Sequence, residues 1–141
     1  MPKLPSILLV DDDSTTNYLN KLLLTRLDVA EQLLVAENGR EALAAFNQIC
    51  TVPTRCPALI LLDINMPVMN GIEFLEAYQQ LPLSLRQTTV VVLLTTSVSS
   101  RDLARAQSLP IASTLVKPLT ADKVTTLLQQ HFPAVAAGAD C

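Results

Sequence analysis

Residues Ala58-Leu59-Ile60-Leu61-Leu62 are apolar at every position, with no polar residue alternating among them. A strand of this kind has to be covered on both faces, because an open face would leave apolar surface in water. Four further short apolar runs recur along the chain, and amphipathic segments separate them. Strands are predicted near Ser6–Val10, Leu33–Ala36, Ala58–Leu62, Thr89–Leu94 and Ser113–Val116. Helices are predicted near Ser14–Arg26, Arg40–Ile49, Ile72–Leu81, Ser99–Ser108 and Ala121–His131. Strands alternating with helices imply a parallel sheet covered on both sides, the doubly wound α/β architecture. The first, third and fourth runs are the most apolar and belong at its centre. A chain of 141 residues suits one domain, expected over residues 1–132, with the small-residue-rich stretch 133–141 as a short flexible tail.

Local signals agree with these elements. Tyr18, Leu19, Leu22 and Leu23 have helical spacing, and Asp13 or Ser14 can cap that helix. Asn38-Gly39 marks the turn into the second helix and Gly71 the start of the third. Ser99 with Asp102 resembles a capping box for the fourth, and Thr120 can cap the fifth. The aromatic content of 4%, with no Trp, leaves Leu, Val, Ile and Ala to build the core.

A net charge of −3, with no basic block and no aromatic stacking platform, argues against nucleic-acid binding. The N-terminal apolar run is too short for a signal peptide, and no run is long enough to insert in a membrane. A cytoplasmic location is therefore expected. Cys50, Cys56 and Cys141 lack metal-type spacing and are expected as reduced bystander thiols.

In an open α/β sheet, ligands sit beyond the carboxyl ends of the strands. Asp11-Asp12-Asp13 follows the first strand, Asp63 the third, Thr95 with Thr96 and Ser97 the fourth, and Lys117-Pro118 the fifth. Glu37-Asn38-Gly39 after the second reads as a turn. Asp63 has its own loop, stopped by Pro67 and turned by Asn70-Gly71. The aspartate run alone is equally well a helix-capping turn, and Asp13 keeps that role. Together with Asp63 and Lys117, however, Asp11 and Asp12 read as a metal site. Carboxylates converging on one rim repel each other and raise their pKa values. Mg²⁺ relieves this with few carboxylates, a carbonyl and waters. Lys117 adds a positive group and Thr95 a hydroxyl. The set suits phosphoryl transfer to Asp63, with the carboxylate as nucleophile. His131, at the end of the last helix, reads as a surface residue, and Met66 and Met69 as packing or loop residues.

Val10-Asp11-Asp12-Asp13-Ser14, the stretch Leu62-Asp63-Ile64-Asn65-Met66-Pro67-Val68-Met69-Asn70-Gly71, Thr95, and Val116-Lys117-Pro118-Leu119 together resemble the receiver domain of two-component response regulators, across about residues 6–131. The resemblance implies a stand-alone, chemotaxis-regulator-like receiver with the flavodoxin-like fold: a five-stranded parallel sheet of order 2-1-3-4-5 with five helices. It implies Asp63 as phosphoacceptor, Asp12 as a direct Mg²⁺ ligand, Asp11 acting mostly through metal-bound water, and Asn65 offering its backbone carbonyl to the metal. Thr95 would be the switch hydroxyl and Lys117 the partner of a phosphoryl oxygen, with a cis bond before Pro118. Asn65 and Ser97, two residues beyond Asp63 and Thr95, would tune acyl-phosphate hydrolysis. The phosphoryl donor would be a histidine kinase or a histidine phosphotransfer protein, and the output a contact with a downstream effector protein through the face of the fourth helix, fifth strand and fifth helix. The protein would assist its own phosphorylation and dephosphorylation without turning over a separate substrate.

One departure stands out. The family carries Tyr or Phe three residues before the lysine, and this chain has Thr114. The ring takes no part in the chemistry, so the departure bears on how the signal travels.

Two other readings compete. Leu9-Val10-Asp11-Asp12-Asp13-Ser14-Thr15 also resembles the nucleophile motif of haloacid-dehalogenase-type phosphatases, with Asp11 as nucleophile and Asp13 as acid/base. That reading lacks a late paired acidic motif, offering only Asp122, and leaves Asp63 unexplained. The other is a receiver fold that docks without phosphorylation.

Overall fold

The apolar runs are the strands of a single sheet in the computed structural model, which describes residues 3–52, 55–96 and 100–135. In chain order the elements are β1 (Leu4–Val10), α1 (Ser14–Leu27), β2 (Ala30–Ala36), α2 (Gly39–Ile49), β3 (Leu59–Leu62), α3 (Gly71–Tyr78), α4 (Leu83–Arg86), β4 (Val90–Thr95), α5 (Ser100–Gln107), β5 (Ser113–Val116) and α6 (Ala121–His131). The strands pair in parallel in the order β2-β1-β3-β4-β5. The most apolar runs, β1, β3 and β4, are therefore central, and every residue of β3 is buried.

Alternate residues of β1, β2, β3 and β4 feed two cores. Leu8 and Val10 of β1 join Phe46 of α2, Phe74 and Tyr78 of α3 and Ala106 of α5 on one side. Ile7 and Leu9 join Leu24 of α1 and Val124, Leu127 and Leu128 of α6 on the other. Three of the five aromatics, Phe46, Phe74 and Tyr78, gather in the first core. Tyr78 meets Phe46 edge-on at 5.3 Å and stacks on Phe74 at 5.6 Å, and the Arg86 guanidinium lies 5.9 Å from its ring centroid.

Side chains fix the helix starts. Asp13 caps α1, Asn38 caps α2 and Thr120 caps α6. Asn70 and Glu73 form a reciprocal capping box on α3. Ser99 lies outside the described residues, so the cap expected there is not described.

Three details differ from the sequence expectation. The third helix ends at Tyr78 rather than Leu81, because its last bonds tighten to Gln80 N–Ala77 O and Leu81 N–Tyr78 O before Pro82, which has no N–H to give. After Pro82, one further turn forms as α4. In α1, the buried residues are Asn17, Asn20 and Leu24, while Tyr18, Leu19 and Leu22 are 65%, 55% and 38% exposed. Three of the four residues whose spacing marks that helix thus face outward, while Leu23 packs on the second core. Cys50 and Cys56, expected as separate reduced thiols, are joined by a disulfide. Cys50 caps the end of α2 and Cys56 precedes β3, with their Cα atoms 4.0 Å apart, a proximity that sequence spacing does not reveal. Cys141 lies outside the described residues. Beyond α6, Val135 is buried against the second core. Among the described residues no helix is long and apolar enough to cross a membrane.

Candidate functional site

β1, β3, β4 and β5 all end on one edge of the sheet, and their parallel register carries the next residues to a common rim. Asp63 follows β3. Its N–H donates to Val10 O at 2.9 Å, which holds its backbone against β1, and Ile64 N–H donates to Asp63 Oδ1 at 2.9 Å. The side chain is only 10% exposed. Behind it, Gly71 N–H donates to Ile64 O at 2.8 Å. A Cβ at Gly71 would collide with the Asp63 carbonyl oxygen and come within 2.9 Å of Ile64 Cα. Glycine is therefore what lets α3 begin directly behind the carboxylate. Gly39 closes the other side of the loop, donating to Met69 O at 2.7 Å.

Asp11 follows β1 and is buried. Asn17 Nδ2 donates to its carbonyl at 2.8 Å, and Asp13 N–H donates to its Oδ1 at 2.9 Å. Lys117 follows β5 and reaches across the rim. Its Nζ lies 2.5 Å from Asp11 Oδ2 and 3.6 Å from Asp63 Oδ2. Lys117 N–H donates to Thr95 O at 2.8 Å, and the Lys117–Pro118 peptide bond is cis. Asp12 is exposed beside them. Asp11, Asp12 and Asp63 each offer a carboxylate oxygen within 4.8 Å of the others.

Thr95 is the buried last residue of β4, in register with Val116, the residue before Lys117. Asn65 is exposed in the β3–α3 loop. Ser97 lies outside the described residues. Asp13 does not join the cluster: its oxygens accept from Thr15 N–H at 3.0 Å and Thr16 Oγ1 at 2.9 Å.

Burial, hydrogen bonding and charge together explain the titration of these groups. Burial raises the Asp63 pKa and the Asp11 charge raises it further, against the lowering effect of Lys117 and the Ile64 N–H. Burial alone would lower the pKa of Lys117, but its hydrogen bond to Asp11 and the charges of Asp63 and Asp11 outweigh this and hold it above the usual lysine value. Asp13 is lowered, chiefly by the Thr16 hydroxyl and the Thr15 N–H. Asp63 ionises against its surroundings, so the rim has room for more positive charge than Lys117 supplies. Three carboxylates with one open, exposed member fit a hard divalent cation.

Sequence reasoning missed two residues here. Asn17 and Lys123 both bond the backbone that carries the site. No sequence signal marks Asn17, because the apolar spacing of α1 points to another face.

The sequence matches the family model for the response regulator receiver domain over residues 7–129. The chain belongs to the response regulator receiver domains. This receiver is 30% identical over 131 residues to a protein described as a probable chemotaxis protein CheY of Rhizobium etli, covering 92% of this chain and 93% of that one. It is 31% identical over 125 residues to a probable methanogenesis regulatory protein FilR2 of Methanothrix harundinacea, covering 88% and 79% of the two. Among solved structures, it superposes on a two-component response regulator from Cytophaga hutchinsonii with a TM-score of 0.82 at 30% identity, covering 94% of this chain and 99% of that one. A chemotaxis protein CheY4 of Vibrio cholerae superposes with a TM-score of 0.76 at 27% identity, covering 92% and 99%. The five-stranded parallel sheet of order β2-β1-β3-β4-β5 is thus the receiver fold expected from the sequence. A cleft of about 420 Å³ opens beside the receiver's rim, lined by Thr16, Leu19, Asn20, Thr96, Lys117, Pro118 and Leu119.

Proposed function

We propose that this receiver accepts a phosphoryl group on Asp63 from a phosphohistidine donor, a histidine kinase or a histidine phosphotransfer protein, and thereby switches a protein-binding surface. The observation that carries this reading is the convergence of Asp11, Asp12 and Asp63 within 4.8 Å, with Lys117 bridging Asp11 and Asp63.

Asp12, Asp11 and Asp63, with the Asn65 carbonyl, would hold Mg²⁺. When bound, the cation would supply charge neutralisation for the phosphoryl oxygens. The remaining work falls to the chain. One Asp63 oxygen attacks phosphorus, an O–P bond forms and the P–N bond to imidazole breaks, with the electron pair leaving on nitrogen. Ile64 N–H donates to Asp63 Oδ1, which orients the carboxylate and leaves Oδ2 on the side of Lys117. The Lys117 ammonium lies within reach of both carboxylates and can follow the developing charge. Thr95, paired across the sheet with the residue before Lys117, would be the hydroxyl that senses the new group. Hydrolysis of the acyl phosphate returns the carboxylate, with Asn65 and Ser97 tuning its rate.

The partner would dock along α1. Leu19 is exposed and also lines the cleft beside Lys117, and Tyr18 and Leu22 extend the apolar surface. An apolar strip beside the nucleophile suits an apolar surface around a phosphohistidine. The output face would be α5, β5 and α6.

The phosphatase alternative gains no support, because Asp13 is spent on capping α1. The decisive measurement is intact mass after incubation with acetyl phosphate and Mg²⁺. A gain of one phosphoryl group that Asp63→Asn abolishes is expected. Label on Asp11, or a gain unaffected by that substitution, would refute the reading. Absence of any gain would favour a docking module that works without phosphorylation.

A further inference from the structure

Lys123 is in the first turn of α6, which starts at Ala121 after the Thr120 cap. A cation there opposes the partial positive charge of a helix N-terminus, so its presence calls for another interaction. Its backbone N–H is already taken by Thr120 Oγ1 at 3.3 Å. The side chain turns back out of the helix, and its Nζ donates to the carbonyl oxygens of Val116 at 2.6 Å and Pro118 at 2.9 Å. These two residues bracket Lys117. A capping box sends a third-position carboxylate back to a backbone N–H. Here a third-position ammonium goes back to backbone carbonyls instead, and both bonds are charge-assisted.

The segment it grips lies at the edge of the sheet. Among the described residues β5 is an edge strand, paired only with β4. Beyond its last residue, Lys117 N–H reaches Thr95 O at 2.8 Å on the β4 side. Lys123 supplies the hold from the α6 side. The ammonium that must span Asp11 and Asp63 is thus carried on backbone pinned from both sides.

We propose that Lys123 is a positioning residue: it fixes the backbone from which Lys117 presents its ammonium, and so sets the rate at which Asp63 takes up a phosphoryl group. This rests on Asp63 being the phosphoacceptor. The Lys123 ammonium bonds backbone carbonyls rather than either carboxylate. Its effect would pass through Lys117 alone.

The test compares the full chain with its Lys123→Met and Lys123→Arg variants. Acetyl phosphate and Mg²⁺ are supplied, and phosphorylation is followed by intact mass. Lys123→Met keeps the apolar stem and removes the donors. Its rate is expected to fall about tenfold, the scale of a small misplacement of a catalytic group. The Mg²⁺ concentration giving half the maximal rate should not change. Lys123→Arg, which keeps several donors on a long stem, should restore most of the rate. The ε-methylene NMR signals of Lys117, which need no phosphoryl transfer, should shift in Lys123→Met and return in Lys123→Arg. A wild-type rate with unmoved Lys117 signals overturns the proposal. A rate loss with a changed Mg²⁺ requirement also overturns it, since the effect would then lie on the carboxylates. If the wild type takes up no phosphoryl group, the Asp63 reading has failed, and the Lys117 signals alone decide whether Lys123 positions it. Should Lys123→Met not fold, Lys123→Gln is read by the same two measurements.

Discussion

Asp63 is held in a place that resists its charge. Burial raises its pKa above the ordinary 3.8, and Asp11 adds to the rise. A carboxyl whose folded pKa lies above its unfolded one leaves the fold undisturbed while protonated. The fold loses stability as pH rises through the ordinary carboxyl range, and the whole loss is present above the folded pKa. Asp63→Asn should therefore melt higher than the wild type at pH 7 in the absence of divalent cations. The gap should close as the pH falls below 3.8. Thermal melts across that range check this, and a gap independent of pH would rule out charge as its origin. Val68, in the loop after Asp63, carries a different kind of cost. It is β-branched, 72% exposed and at φ 66°, where a Cβ meets the following carbonyl. Val68→Gly should add about 0.5–1 kcal/mol after the glycine entropy term is set against the relief, raising the melting temperature by about 2–4 °C. The rim residues are legible in the sequence because Asp11, Asp63 and Lys117 each follow the last residue of an apolar run. The preference of Lys117 for Asp11, at 2.5 Å against 3.6 Å for Asp63, is not, since order along the chain does not say how far an ammonium leans across the edge.

Helix α1 shows where element-scale patterning misleads. Its apolar residues have helical spacing, yet Asn17 and Asn20 are buried and Tyr18 and Leu19 face outward. The physical cause is local: Asn17 Nδ2 satisfies the Asp11 carbonyl, a buried acceptor that an apolar side chain would leave unpaired. Periodicity finds the helix but does not choose its inward face when polar groups are required there. The same limit applies at α4, a single turn too short to show a period. The helix caps are more legible, since Asp13, Asn38 and Thr120 announce themselves by residue type. The outward face of α1 leads to a prediction about partners. Leu19→Asp should slow phosphorylation by a phosphohistidine protein roughly fivefold or more, the effect of losing one anchoring contact. Phosphorylation by acetyl phosphate should be unaffected, because a small donor needs no docking surface. Parallel rate measurements with the two donors separate these. An equal loss with both would move Leu19 from docking into the site itself.

At the scale of the whole molecule, the order β2-β1-β3-β4-β5 is what the resemblance to receiver domains implies, while parallel strands with two buried faces dictate helices on both sides with the most apolar strands at the centre. That layering the apolar runs alone imply. They do not imply the disulfide between Cys50 and Cys56, because both cysteines lie outside the strands and their spacing does not say that they meet. The same sheet gathers Asp11, Asp12 and Asp63 on one edge of a chain whose net charge is already −3, so part of the global stability is tied up in carboxylate repulsion there. A cation bound only by the folded chain returns that stability through mass action, about 2.7 kcal/mol at a hundred times its dissociation constant. In a domain of this size that is a rise of several degrees in melting temperature. Mg²⁺ should therefore raise the melting temperature in a saturable way, while sodium at matched ionic strength should not. Asp12→Asn should remove most of the rise, because Asp12 is the exposed member of the cluster and the expected direct ligand. Asp13→Asn should leave the rise intact, since Asp13 is occupied with the α1 cap. Each melting curve supplies its own control, since the zero-cation melting temperature reports what the substitution does to the fold. Only the increment reports the site. Equal increments in all these variants would reduce the effect to general screening and leave the rim without a specific cation.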